Sequence, residues 1–102
     1  MDHLADTLKQ TLAGYTGKGL NGYAYLASTP DDHIFTVVSV GYLPDQRVVD
    51  ADLIVQVVGD RIIIERDIND KPLVDGLVQN GIPREQIVLA YAGEPVEEPT
   101  TL

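Results

Sequence analysis

The sequence contains no cysteine. That absence excludes disulfides and thiolate metal sites, and it fits a reducing compartment. Basic residues are scarce as well: seven Lys and Arg stand against sixteen Asp and Glu, for a net charge of -9. Phosphate backbones are bound by neutralising them with cations, so direct nucleic-acid binding is not expected. Acidity of this degree either keeps a small protein soluble or offers an acidic face to a basic partner. Long apolar runs are also missing. The stretch Leu53 to Val58 is far too short to span a bilayer, so no membrane association is expected. The opening residues Met1-Asp2-His3-Leu4 have neither a basic nor an apolar leader character, which points to the cytoplasm.

What is present suffices for one core. Of 102 residues, 44% are hydrophobic, and a chain of this length withdraws roughly two-thirds of its unfolded surface from water. A single domain over 1–92 is expected, followed by a mobile acidic tail over 93–102, where Glu, Pro and Thr dominate.

Leu4, Leu8, Leu12 and Tyr15 recur at helical spacing and predict a helix over 2–13. Gly14, Gly17, Gly19 and Gly22 then read as a flexible connection. From Tyr23 to Arg66 the texture is that of strands: 23–27, 34–42, 48–58 and 61–66. In the third, alternation places Val49, Ala51, Leu53, Val55 and Val57 on one face, and Asp50, Asp52 and Gln56 on the other. Gly59-Asp60 suits a two-residue type II′ hairpin turn. A second helix follows, with Asn69 or Asp70 as N-cap, Pro72 in its first turn, Leu73, Leu77 and Val78 as its apolar stripe, and Gly81 at its C′ position. After a short turn over 83–86, Ile87 to Tyr91 reads as a last extended segment. The expected fold is a two-layer α+β domain: an N-terminal helix, a four-stranded antiparallel meander, a second helix and a short C-terminal strand.

Chemistry-bearing constellations are few. Asp31-Asp32-His33 adjoin in a turn, where Asp serves local backbone hydrogen bonds better than a metal. Asp67, Asp70 and Asp75 suit a strand end and a helix start, where carboxylates favour the positive end of the dipole. No catalytic, cofactor-binding or metal-binding residue is therefore assigned, and an enzyme is not expected. The alternative is a small-ligand-binding or hydrolytic domain using the acids near the sheet's end, which a deep pocket holding Asp67, Asp70 and a tyrosine would favour. Ile54, Val58 and Ile63 occupy the otherwise polar strand face. With Tyr42, Tyr91 and the nearby Tyr23 and Tyr25, they predict an apolar interface, unless a loop or the tail covers them.

Val40-Gly41-Tyr42 with Arg47 close behind, Asp67 at a strand end, and Leu77-Val78-Gln79-Asn80-Gly81-Ile82-Pro83-Arg84-Glu85-Gln86-Ile87-Val88-Leu89 together carry a resemblance. The chain is similar to the XisI family, small cyanobacterial proteins named as controlling factors for excision of the fdxN element. Tyr42 stands where the family has Trp, and Asn69-Asp70 replaces its usual Thr-Glu. Ser39, Ile63 and Ala92-Gly93 stand where it often has His, Trp and His-Pro, so no role of those family residues carries over. The resemblance implies an accessory, regulatory protein acting through a partner, an XisH-like protein of nuclease-like fold or a recombinase. It also fits self-association into a homo-oligomer.

Overall fold

The helical spacing of Leu4, Leu8 and Leu12 folds as expected: His3–Ala13 is helix α1, with Leu8 and Leu12 completely buried. The computed structural model describes residues 3–97. After α1 come β1 (Gly17–Gly19), β2 (Gly22–Ser28), β3 (Ile34–Leu43), β4 (Gln46–Val58) and β5 (Arg61–Asp67). Helix α2 (Leu73–Gln79), a 3-10 turn over Arg84–Gln86, β6 (Ile87–Leu89) and a second 3-10 turn over Ala90–Ala92 complete the order. The strands form one sheet in sequence order, antiparallel throughout except that β6 runs parallel to β5. Among the described residues, no helix is long and apolar enough to cross a membrane.

The class is α+β, but the expected four-stranded meander with one further short strand becomes a sheet of six. The additional strand comes from the glycine-rich link, where Gly17–Gly19 pairs with the start of β2. Edge pairing needs only backbone groups, so side-chain-poor Gly-Lys-Gly supplies it, and its brevity limits the exposed edge. The extended segment expected over 87–91 stops at Leu89; Ala90 and Tyr91 coil into a 3-10 turn instead.

One core joins the helices to the inner sheet face. Ala5, Leu8 and Leu12 of α1 and Leu73 and Leu77 of α2 pack with Phe35, Val37, Leu53, Val55, Val57, Ile62, Ile64 and Ile87. Burying each of these side chains larger than alanine stabilises by about 1.5–3 kcal/mol before entropic costs. Close approach of the helices is set by Gly76, where a Cβ would lie 3.1 Å from the Thr11 methyl. Thr11 is then tied to α2 by the Asn80 amide, which donates to its hydroxyl at 2.8 Å.

Two bulges decide which residues reach that core. Val37 pairs with Leu53 but Val38 with Ala51, so Asp52 is skipped in the ladder. Glu65 is skipped likewise between the pairs Val55–Ile64 and Ile54–Arg66. The first bulge overturns the uniform alternation expected along β4. Leu53, Val55 and Val57 are buried inward, whereas Val49 and Ala51 pair with Val40 and Val38 on the outer face. Asp52 is not an outward polar residue of a regular strand; its carboxylate accepts from the Ser39 hydroxyl at 3.0 Å.

The Gly59-Asp60 hairpin forms as expected, with Val58 paired to Arg61 and positive φ at Gly59 alone of the two turn residues. Helix α2 begins differently. Pro72, not Asn69 or Asp70, is the N-cap residue and makes no side-chain cap bond. Asp67 fills the role from the end of β5, accepting from the Leu73 N–H at 2.8 Å. Proline carries no hydroxyl or carboxylate, so the cap must arrive from elsewhere in the fold. Val78 is not part of the buried stripe; it is largely exposed. Gly81 has φ +99°. Its N–H donates to the Val78 carbonyl at 3.1 Å and that of Ile82 to Leu77 at 3.0 Å, which is a Schellman closure.

Candidate interaction surface

Alternation from the core positions assigns the outer face of the sheet. Lys18, Tyr23, Val40 and Val49 form one row across β1–β4 by register; Tyr25, Val38 and Ala51 form the next. Tyr42 pairs with Arg47 at one end of the face, and Val58 with Arg61 at the other. Neither helix covers this side: Tyr25, Ile34, Tyr42, Val49 and Val58 are all exposed. Exposed apolar groups gathered on one strand face mark an interaction surface more often than a bare wall.

The tyrosines are organised. The Tyr23 and Tyr25 rings stack with centroids 6.1 Å apart, and the Tyr42 ring lies 6.5 Å from Tyr23. Hydrogen bonding toward Tyr23, and then Tyr42, favours the charged form of Arg47 and pushes its pKa up, which places its guanidinium beside these phenols. Val40 is buried although it points away from the core, beneath this aromatic row. The cluster is thus an aromatic and cationic corner.

Of the residues expected at an interface, Tyr42, Ile54 and Val58 share this face, with Ile54 half-buried. Ile63 also points outward, but it is buried, 5% exposed, between its ladder neighbours Gln56 and Val88. It supports the surface from below and is not a contact residue. Tyr91 lies elsewhere. Burial first, then the carboxylates of Asp67 and Asp75, raise its pKa, which places it beside α2. Burial and the same two acids raise the pKa of Tyr15. That the outer face holds four of the seven Lys and Arg was legible only once the register was known.

Of the acids near the sheet's end, Asp67 is committed to structure, while Asp70 lines a cleft. Besides the Leu73 bond, Asp67 accepts from the Asn69 backbone N–H at 3.0 Å and its side-chain amide at 2.9 Å. An open cleft of about 510 Å³ beside it is lined by Tyr15, Asn69, Asp70 and Lys71 among others, but Asp67 does not line it. The Tyr15 hydroxyl donates to the Lys71 carbonyl at 2.8 Å and pins the loop. Asp31 and His33 are exposed in their turn, where the Thr29 hydroxyl accepts from the His33 and Ile34 N–H groups. Asp32, at φ 56°, pairs with Lys9 at 2.9 Å. Among the described residues, no group of three or more His, Asp or Glu is placed to hold a metal ion.

The far edge of the sheet is closed by side chains. Arg84 donates to the Ile87 carbonyl at 2.7 Å, and Glu94 accepts from the Leu89 N–H at 2.9 Å. The two pair with each other at 2.8 Å. The Leu89 N–H and then Arg84 hold the Glu94 carboxyl below its usual pKa. The chain is therefore anchored as far as Glu94, inside the tail expected over 93–102; residues 98–102 of that tail lie outside the described residues.

The chain matches the family model described as XisI protein over residues 2–101. It is similar in structure to a XisI-like protein from Anabaena variabilis ATCC 29413, with 20% identity and a TM-score of 0.65 over 84% of this chain and 78% of that one. The fdxN element excision controlling factor XisI from the same organism gives 20% identity and a TM-score of 0.66, over 97% and 94% of the two chains. No curated protein matches by sequence. At this identity the two structures speak for the fold.

Proposed function

The chain belongs to the XisI family, and from that premise we propose that it is an accessory factor in the control of excision of a DNA element. In this reading it does no chemistry itself. It binds and regulates the protein that acts on DNA, an XisH-like protein of nuclease-like fold or a recombinase. One structural relative, named as an excision controlling factor, supports the regulatory role. The observation that carries the docking role is the helix-free outer face, with Tyr25, Tyr42, Val49 and Val58 exposed on one sheet. Tyr and Arg are enriched in protein interfaces because they bring large contact area with little conformational freedom to lose.

The test is co-expression with the XisH-like protein from the same genome, followed by affinity capture and sizing. A stable complex that Tyr42→Asp disrupts without lowering the melting temperature is expected. Elution of the two proteins as separate species would refute the reading.

A further inference from the structure

The ladders sort charge as well as hydrophobicity. Lys18, Arg47, Arg61 and Arg66 take outer-face positions through their pairs with Tyr23, Tyr42, Val58 and Ile54. Among the acids within the described strands, Glu65 alone takes an outer-face position, bonded to Gln56 at 2.8 Å, while Asp60 and Glu85 line a hollow with Arg61 at the sheet's end. An acidic protein, at net charge -9, thus sets four cations and one carboxylate on the outer-face positions of its strands. The remaining acids lie on the helices, the loops and the inner side of the strands. At contact, the charges of the face itself lie nearest the partner and weigh most, because Coulomb energy falls with distance.

We propose that the outer face docks an acidic protein segment carrying apolar side chains, the apolar groups resting on Val49, Val58 and the tyrosines while its carboxylates meet Arg47, Arg61 and Lys18. This rests on the docking role proposed above and names the chemistry of the partner. It reverses the expectation from composition, in which an acidic protein seeks a basic partner. A symmetric pairing of two copies through this face is disfavoured, since each copy would set its cations near those of the other. Nucleic acid also carries negative charge, but four cations give a small electrostatic footprint, and the exposed Val49 and Val58 suit aliphatic side chains better than bases.

The probes are a short alternating Glu–Leu peptide, its Lys–Leu counterpart and a single-stranded oligothymidylate, each titrated into isotope-labelled full chain and followed by amide chemical shifts. The Glu–Leu peptide is expected to move the Lys18, Tyr25, Tyr42, Arg47 and Arg61 resonances, and to weaken with added salt. Arg47→Glu and Arg61→Glu should each weaken it about tenfold or more, with unchanged melting temperatures. Two separate reversals keep the test standing if one variant folds poorly. Equal binding of the Lys–Leu peptide, or no change on either reversal, would overturn the proposal. So would tighter binding of oligothymidylate at the same residues, or concentration-dependent broadening of the face that reveals a second copy. The docking role itself is judged separately by the co-expression experiment: a stable complex insensitive to both reversals would leave it intact and sink this inference.

Discussion

On the inner face of β3, β4 and β5, Phe35, Val37, Leu53, Val55, Ile62 and Ile64 are at most 1% exposed beneath the two helices. On the outer face of the same strands, Tyr42, Val49 and Val58 stand in solvent beside Arg47 and Arg61. Both faces hold apolar residues, so hydrophobicity alone does not separate them. Close apolar packing beneath the helices marks the side that holds the fold together. Aromatic rings, arginines and exposed valines mark the side free to meet something else. A substitution therefore tells which face a residue serves by whether it changes stability or binding.

The largest effect should come from the inner face. Phe35→Ala empties a fully buried ring position and is expected to cost about 3–5 kcal/mol, read by urea denaturation; a loss below about 1 kcal/mol would place Phe35 outside the core. Asp67→Ala should cost about 2 kcal/mol, because it strips the Leu73 N–H at the start of α2 of its acceptor and frees Asn69. Asp67→Asn, which keeps one acceptor oxygen, should recover part of that loss. Gly81→Val should cost about 1–2 kcal/mol, the strain of a β-branched residue at positive φ, since a Cβ there meets nothing within 4 Å. An unchanged melting temperature would reject the left-handed closure of α2. The smallest effect belongs to the outer face. Val49→Thr should stay within about 0.5 kcal/mol while weakening the partner complex; a large destabilisation would show that the face is covered within the chain itself.

The helices, the hairpin at Gly59-Asp60 and the turn at Gly81 were legible because each rests on short-range chemistry: helical spacing, a two-residue turn, a required positive φ. What escaped depended on pairing across strands. Alternation read along β4 carries Val49 onto the core face, and only the skipped Asp52 returns it to the outer one. Ile63 reads as exposed from its position in β5, yet Gln56 and Val88 close over it, and Val88 arrives from a strand on the far side of α2. The cap of α2 was misplaced at Asn69 or Asp70, because the acceptor, Asp67, lies six residues from the N–H it receives. The outer face itself was partly visible in Tyr42, Ile54 and Val58. Its charge was not, since net charge is blind to which side of a sheet each cation takes.

The parallel seam between β5 and β6 has a consequence for the order in which the molecule assembles. Hairpins among β2–β5 close through tight local turns, and such closures are fast. The pairing of Ile62 with Ile87 and Ile64 with Leu89 must wait until α2 has formed and turned the chain back. Protection from pulsed hydrogen exchange should therefore reach Val57 before Val88, and the opposite order would contradict this sequence of events. Until the seam shuts, β5 is a sheet edge lined by isoleucines, and strands of other molecules compete with β6 for it. Arg84 and Glu94 then act late, as a latch on the finished edge.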